Sequence, residues 1–202
     1  MAQLFEEGNL QLSFPDGWAV IKYDKPGSFY QKFIKPIGAD LTAVDFVAAT
    51  PDQRRLWLIE VKEFRGHEVE NRKRVTSGEL GVEVMSNFLD TLAGLYVGLH
   101  GRQQELEGLA DAFRNPDVEI YATLLIAADP LPTQKRNLYK QLPPNEQKRL
   151  DAELKWRGDL LQKLKVRLKQ PFRFSVFLFD HDTIEARYGW TARVLPSSMD
   201  AE

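Results

Sequence analysis

The stretch Leu41–Phe64, LTAVDFVAATPDQRRLWLIEVKEF, contains the strongest local pattern in the sequence. Two mostly apolar runs, Leu41–Ala49 and Arg55–Phe64, flank the polar segment Thr50–Gln53. The second residue of that segment is a proline, which suits the second position of a type I turn. In the later run, tryptophan, isoleucine and valine alternate with leucine, glutamate and lysine, as expected for a β-strand. We therefore predict a β-hairpin over this stretch.

The geometry of this hairpin predicts which residues face each other. Its turn is centred between Asp52 and Gln53, so residues whose numbers add up to about 105 should be opposite each other in an antiparallel register. Asp45 is then opposite Glu60, with Cβ atoms roughly 5 Å apart on one face of the sheet. Lys62 points the same way as Glu60, about 6.6 Å further along the strand. Two carboxylates and an ammonium group are thus predicted to converge.

This set of side chains is typical of a metal-dependent hydrolytic site. Two neighbouring carboxylates repel each other, and a divalent cation relieves the repulsion. Oxygens of Asp45 and Glu60 suit Mg²⁺ or Mn²⁺, and the backbone carbonyl of Val61 could supply another ligand. Such a cation lowers the pKa of a bound water, while Lys62 could orient that water or stabilise charge on a phosphate. The alternative is a solvated sheet face on which the three side chains form cross-strand ion pairs.

Asp45 followed by Glu60-Val61-Lys62 resembles the motif of the PD-(D/E)XK nuclease superfamily. The resemblance extends over residues 18–128 by the order of the predicted elements. It implies a restriction-endonuclease-like fold, in which helices flank a mixed β-sheet, and hydrolysis of nucleic acid with Mg²⁺ or Mn²⁺. It also implies that Asp45 and Glu60 hold the metal and that Lys62 assists catalysis.

The chain departs from the family motif in one place, and one further ligand has two candidates. Val44 stands where the family has proline before the first aspartate. A literal Pro-Asp occurs at Pro51-Asp52, but the hairpin places that aspartate in the turn, more than about 20 Å along the strand from the second carboxylate. Members of the superfamily often use another glutamate from the first helix. Glu6 or Glu7 could match it, and Glu7 is the candidate additional metal ligand.

The segments around the hairpin predict further elements. Residues 2–8 are expected to form a short helix, and the polar residues Gly66–Arg74 a loop. A helix is expected over residues 77–100, because Thr76–Glu79 has the pattern of a capping box and apolar residues follow at helical spacing. Two candidate strands precede the hairpin, Ala19–Tyr23 and Ser28–Ile34.

The second half of the chain predicts a mixed order of helices and strands. Val118–Ala128 is almost entirely apolar, which favours a strand in the interior of its sheet. Residues 131–170 form a basic, helical segment, in which Asn145–Lys169 places leucines on one face. The remaining predictions are a short helix Gln103–Phe113, a terminal hairpin of Phe172–Phe179 with Ile184–Val194, and a mobile tail Pro196–Glu202. The sequence thus predicts one nuclease-like domain over residues 1–202, of the α/β or α+β class with a mixed sheet.

Composition narrows the class of protein. The chain has 202 residues, of which 43% are hydrophobic and 28% charged, the balance of a globular protein with a sizeable core. It has no cysteine, which excludes disulfides and zinc–thiolate sites. There is no apolar run long enough to span a membrane, and the N-terminus lacks the pattern of a signal peptide. We therefore expect a cytoplasmic protein with no membrane partner.

Charge is distributed unevenly along the chain. Residues 131–170 hold 11 Lys and Arg but only 4 Asp and Glu, whereas the total net charge is −2. Such asymmetry can mark a surface that binds a polyanion, although a solvated basic helix face is an equal alternative. The candidate nucleic-acid contacts are Arg65, Arg72, Lys73, Arg74, Lys163 and Arg167.

These observations favour a Mg²⁺- or Mn²⁺-dependent nuclease that acts on DNA, in restriction, repair or phage defence. Its partners would be nucleic acid, most readily DNA, and a second copy of the chain or a larger defence or repair complex. One alternative is a catalytically inactive nuclease-like fold that binds nucleic acid or a protein, since fold and function separate readily. A more remote alternative is a protein-interaction or immunity-type domain, in which the basic helix contacts an acidic protein.

Overall fold

The computed structural model describes residues 1–65, 68–127, 139–172, 174–181, 183–184 and 186–195. Its strands are β1 Gln3–Glu7, β2 Leu10–Phe14, β3 Ala19–Lys22, β4 Phe46–Ala49, β5 Arg55–Glu63, β6 Glu119–Ala127, β7 Ser175–Asp180 and β8 Thr191–Val194. Its α-helices are α1 Glu68–Ser77, α2 Glu79–His100, α3 Ala110–Arg114 and α4 Pro144–Phe172. The described residues also contain a π-helical segment, Tyr30–Ile34, and four 3₁₀ segments: Lys35–Ile37, Gln104–Leu109, Tyr139–Gln141 and Ala186–Tyr188.

The strands form two sheets. The larger sheet has the order β3-β4-β5-β6-β7, and the smaller has the order β1-β2-β8. Strands β3, β4 and β5 pair antiparallel, whereas β6 pairs parallel to both β5 and β7. The predicted mixed sheet of an α+β protein is therefore confirmed.

The hairpin at the centre of the prediction forms with the expected register. Phe46 pairs with Ile59 and Val47 with Leu58, which is the pairing that a turn centred between residues 52 and 53 requires. Strand β4 begins only at Phe46, so Asp45 precedes the strand instead of lying within it. The register still sets Asp45 against the second half of β5.

Alternation along β5 divides the core into two halves on opposite faces of the larger sheet. Leu56 and Leu58 pack with residues of α2 and α4, while Trp57 and Ile59 pack against the smaller sheet. Successive strand residues point to opposite faces, so one short segment supplies both halves. Helices therefore cover one face of the larger sheet, and the smaller sheet covers the other.

Helices flank the mixed sheet as predicted, on one of its faces, and the restriction-endonuclease-like fold stays a prediction. The expected helix over residues 2–8 is wrong, because these residues contain strand β1. Alternating exposure in β1 shows why: only every second residue contacts the core, the period of a strand. In the part of the chain that the structure describes, no helix combines the length and apolarity needed to span a bilayer.

Two further predictions before β6 are wrong. The expected strand Ser28–Ile34 is largely the π-helical segment, which buries Tyr30 and Ile34 on one side. The expected loop Gly66–Arg74 contains most of α1, whose polar sequence buries little besides Asn71 and Val75. The residues of α1 favour a helix although they form no apolar stripe. The helix is held in place because it packs on both α2 and α4.

The expected helix over residues 77–100 is confirmed as α2, which begins at Glu79 and is separated from α1 by Gly78. That glycine has a φ of 85°, a left-handed conformation that breaks the helix and that glycine adopts without strain. The capping-box interpretation is wrong, because Gly78 is the N-cap and the Thr76 hydroxyl donates to the Arg72 carbonyl instead. Ser77 Oγ accepts a hydrogen bond of 3.4 Å from the Glu79 N–H.

The C-terminal strands do not form the expected hairpin. Strand β7 lies in the larger sheet beside β6, whereas β8 pairs with β2 in the smaller sheet. The predicted interior strand is confirmed as β6, and the predicted helix Asn145–Lys169 lies within α4. The start of the basic segment, residues 131–138, and the tail Pro196–Glu202 lie outside the described residues.

Candidate metal centre

Asp45, Glu60 and Lys62 lie at one end of the larger sheet, where Glu60 and Lys62 form an ion pair and Asp45 bonds to the backbone between them. The backbone N–H of Val61 donates a hydrogen bond of 2.6 Å to Asp45 Oδ2, which ties the aspartate directly to β5. The backbone N–H of Tyr23 donates to the Asp45 carbonyl at 2.7 Å. Asp45 is 8% exposed and Glu60 3%, so both carboxylates are buried and anchored.

The Lys62 ammonium lies between two carboxylates. Its Nζ is 2.7 Å from Glu60 Oε1 and 2.7 Å from Glu83 Oε1, on the second turn of α2. Burial alone would lower the pKa of Lys62, but the Glu60 carboxylate and hydrogen bonds to Glu60 and Glu83 outweigh it and raise the pKa to about 12. Lys62 is therefore a charged ammonium at neutral pH.

Two more carboxylates approach Asp45 from other elements. Glu7 ends β1, and Asp24 follows β3 by two residues. One oxygen of each lies within 4.8 Å of the other and of an Asp45 oxygen. Lys22 Nζ is 2.7 Å from Glu7 Oε2, so one ammonium partly balances this group. Glu60 does not belong to this close group, but its carboxylate acts electrostatically on Asp45. We call Glu7, Asp24, Asp45 and Glu60 the acidic cluster.

Burial and mutual repulsion perturb the acidic cluster. Burial, and then the Glu60 carboxylate, raise the pKa of Asp45 to about 8, although the Val61 N–H hydrogen bond opposes the shift. Burial also raises the pKa of Glu60, against the opposing effect of Lys62. The pKa of Asp24 is raised by burial and by the nearby Glu7. Each shift shows that negative charge is held here at a cost, which a bound cation would offset.

The residues present fit a hard divalent cation. The acidic cluster offers carboxylate oxygens alone, the ligands that Mg²⁺ and Mn²⁺ prefer. Glu60 Oε2 is buried and accepts no hydrogen bond of ordinary geometry from the described residues, which leaves an oxygen available for a ligand. The Asn87 side chain lies beside this carboxylate and helps to lower its pKa. Val61 contributes its backbone N–H to the site, as a hydrogen-bond donor to Asp45. Coordination of a cation by the Val61 carbonyl stays a prediction.

The candidate nucleic-acid contacts fall into two groups. Three arginines form ion pairs within the protein: Arg65 with Glu63, Arg72 with Glu153, and Arg74 with both Glu79 and Glu83. Lys163 donates to the backbone carbonyl of Val75 at 2.9 Å, near the C-terminal end of α1. Lys73 and Arg167 have exposed side chains, directed to solvent.

Sequence reasoning missed two residues of this centre, Asp24 and Glu83. Asp24 follows the apolar run of residues 19–23, and an acidic residue at a strand end was the available signal. Glu83 lies among ordinary helix residues and carried no signal. Glu7 was anticipated as a ligand, but it arrives on a strand instead of a helix.

Comparison of the chain with protein-family models, with curated proteins and with solved structures gave no match.

Proposed function

We propose that this protein is a metal-dependent nuclease of the PD-(D/E)XK type that hydrolyses phosphodiester bonds in DNA, in the cytoplasm. The observation that carries the proposal is the position of Glu60, buried to 3% exposure beside Asp45, with the Lys62 ammonium 2.7 Å away. An apolar strand rarely buries a carboxylate without a ligand or a chemical role. The mixed sheet, with its antiparallel β3, β4 and β5 and parallel β6, supports a restriction-endonuclease-like fold.

The acidic cluster would hold the cation, with Asp45 and Glu60 as the central ligands and Glu7 and Asp24 beside them. When bound, a divalent cation lowers the pKa of a coordinated water and neutralises charge on a phosphodiester. Lys62 is a hydrogen-bond donor with a pKa of about 12, so it holds a water or a phosphate oxygen and does not act as a base. Burial of Asp45 and Glu60 limits competing water and strengthens these electrostatic contacts.

Exposed basic residues would bind the nucleic-acid backbone. Lys73 on α1 and Arg167 on α4 face solvent. Lys163, one helical turn before Arg167, contacts the backbone of α1, so the basic residues of both helices belong to one side of the molecule. Contacts of this kind make binding salt-dependent and independent of sequence. A homodimer or a larger defence or repair complex remains a prediction.

The test is cleavage of a panel of substrates, comprising single- and double-stranded DNA and RNA, with Mg²⁺ or Mn²⁺. Asp45→Asn and Lys62→Met should each reduce the rate by about 100-fold or more. Asp52→Asn is the matched control, because Asp52 is an exposed aspartate in the turn of the same hairpin and should leave the rate unchanged. Circular dichroism verifies folding, and equal rates for wild type and Lys62→Met would refute the assignment.

A catalytically inactive, nuclease-like binding module is the second candidate. The observation that favours it is the engagement of Lys62 by two carboxylates, which is also how a structural ion pair looks. Calorimetry with Mn²⁺ separates the two, because a binding module without a metal centre takes up no cation at millimolar concentration. Metal uptake that is lost in Asp45→Asn supports the nuclease.

A further inference from the structure

Glu83 joins the candidate centre to the helical layer through both of its carboxylate oxygens. Oε1 lies 2.7 Å from Lys62 Nζ, and Oε2 pairs with the Arg74 guanidinium of α1. The Glu83 side chain is 32% exposed, so it reaches the centre from its rim. Burial favours the neutral acid, but the hydrogen bond from Lys62 and the two positive charges outweigh it and lower the pKa of Glu83. It is therefore an anion at neutral pH.

The contact with Glu83 decides where the Lys62 ammonium points. A lysine side chain has four rotatable bonds and loses much freedom when it is held in one place. Bonded to Glu60 alone, the ammonium could swing about that one carboxylate. A second carboxylate, on α2, restrains it from another direction at the same 2.7 Å distance. Because an ammonium has three donors, these two bonds leave one N–H for a water or a phosphate oxygen.

Glu83 is itself held in place from the far side. Arg74 contacts Glu83 with one nitrogen and Glu79 with another, at 3.2 Å for the latter. The two glutamates are one helical turn apart on α2, so Arg74 spans them across the junction of α1 and α2. Glu79 has no contact with Lys62 among those that the structure gives, and its side chain is 65% exposed. The chain thus provides a matched pair: two glutamates with one arginine partner, only one of which contacts Lys62.

We propose that Glu83 is a positioning residue that holds the Lys62 ammonium in its working orientation, next to a substrate phosphate. This inference rests on the proposed nuclease function for its catalytic consequence, although the orientation of Lys62 can be measured without it. Glu83 acts through Lys62 and has no direct role in the bond that is broken.

Kinetics of Glu83→Gln and Glu79→Gln provide the first test. Glutamine keeps the shape of the side chain but removes the charge that attracts the ammonium. We expect kcat of Glu83→Gln to fall about 10- to 100-fold with KM nearly unchanged, since misplacing one group slows the chemistry without removing substrate contacts. Glu79→Gln should retain kcat within about twofold, because its loss leaves Lys62 in place. Equal kcat values for the two variants overturn the proposal.

Nuclear magnetic resonance of ¹⁵N-lysine-labelled protein, without metal or substrate, provides the second test. A hydrogen-bonded, restrained ammonium exchanges its protons slowly enough to be seen, and the signal absent from Lys62→Met identifies Lys62. We expect this signal in wild type and Glu79→Gln and its loss in Glu83→Gln. An unchanged signal in Glu83→Gln overturns the proposal, even if that variant cleaves slowly.

The two tests also separate this inference from the proposed function. If no substrate is cleaved by wild type, the nuclease assignment fails, and the ammonium signal alone decides whether Glu83 positions Lys62. Should Glu83→Gln fold poorly, Arg74→Gln releases Glu83 from its other partner and should weaken the same signal partially. A signal unaffected in Arg74→Gln would then count against the proposal.

Discussion

The larger sheet buries carboxylates in two places, and the two places balance charge differently. At the end of β7, Asp180 pairs with Arg157 of α4, and both side chains are 8% exposed. Arg157 also lies 3.9 Å from Glu153 in its own helix. In the acidic cluster, by contrast, oxygens of Glu7, Asp24 and Asp45 lie within 4.8 Å of one another. Among the described residues, Lys22 pairs with Glu7 and Lys62 pairs with Glu60.

We interpret the first place as a structural ion pair and the acidic cluster as the proposed cation site. A buried charge that serves the fold alone is paired directly, because an unpaired one costs several kcal/mol. In the acidic cluster, burial and then the Glu60 carboxylate raise the pKa of Asp45 to about 8, although the hydrogen bond from the Val61 N–H opposes the shift. We propose that a bound cation would offset this cost.

The largest effect is expected from unpairing the structural site. Arg157→Met removes the partner of Asp180 and leaves a buried carboxylate, so the free energy of unfolding should fall by about 3–5 kcal/mol. Urea unfolding at pH 7 measures it. Arg149→Met, on an exposed position of the same helix, is the control and should change stability by less than about 0.5 kcal/mol. If the free energy of unfolding of Arg157→Met fell by no more than that of Arg149→Met, the ion pair of Asp180 would not be needed for stability. The contrast with the acidic cluster would then fail.

Adding a cation should stabilise the acidic cluster. Mg²⁺ or Mn²⁺ at about one hundred times its Kd should raise the free energy of unfolding of wild type by about 2.7 kcal/mol, since only the folded chain brings the ligands together. Thermal unfolding with and without the cation measures this gain. In Asp45→Asn the gain should largely disappear. An equal gain in both proteins would place the cation somewhere other than the acidic cluster.

Removing negative charge from the acidic cluster should stabilise the metal-free protein. The pKa of Asp45 in the folded protein, about 8, lies above that of an unfolded aspartate. The folded state therefore favours the protonated acid, and stability is lost as pH rises from about 4 through 8. With a chelator present, Asp45→Asn should match wild type near pH 4 and exceed it increasingly as the pH rises to 8, by about 1 kcal/mol or more for each pH unit. Urea unfolding at several pH values measures the difference, and a constant difference across pH would contradict it.

The smallest effect is expected from Lys22, the partly exposed partner of Glu7. Lys22→Met removes one positive charge next to the acidic cluster, so cation affinity should rise a few-fold while stability without metal falls by less than about 1 kcal/mol. Calorimetric titration with Mn²⁺ measures the affinity. Lys25→Met, on an exposed lysine nearby in sequence, serves as the control. Weaker cation binding by Lys22→Met would show that Lys22 supports the ligands instead of competing with the ion.

The local part of this site could be predicted from sequence. Asp45 directly precedes β4 and Glu60 lies in β5, and the five-residue connection between these strands leaves little freedom in the register. The predicted pairing was therefore confirmed by Phe46 and Ile59. Alternation within β5 then placed Lys62 on the same face as Glu60.

The other residues of the site reach it through contacts between segments that are distant in sequence. Asp24 arrives through the pairing of β3 with β4, and Glu83 through the packing of α2 on the sheet. Neither residue belongs to a pattern of period two or 3.6 that would distinguish it from a solvent residue. The same reason explains the error at β7 and β8, because two short apolar runs do not reveal which sheet each one joins.

Strand β8 has a consequence for the order in which the protein is made. The hairpin of β1 and β2, which carries Glu7, gains its third strand only from residues 191–194. A two-stranded hairpin on its own is marginally stable in water. Translation runs from the N-terminus, so the strand that carries Glu7 is made long before the strand that completes its sheet. Until residues 191–194 have been made and have paired with β2, Glu7 therefore lies on a marginally stable hairpin, and one carboxylate of the acidic cluster is not yet held in place.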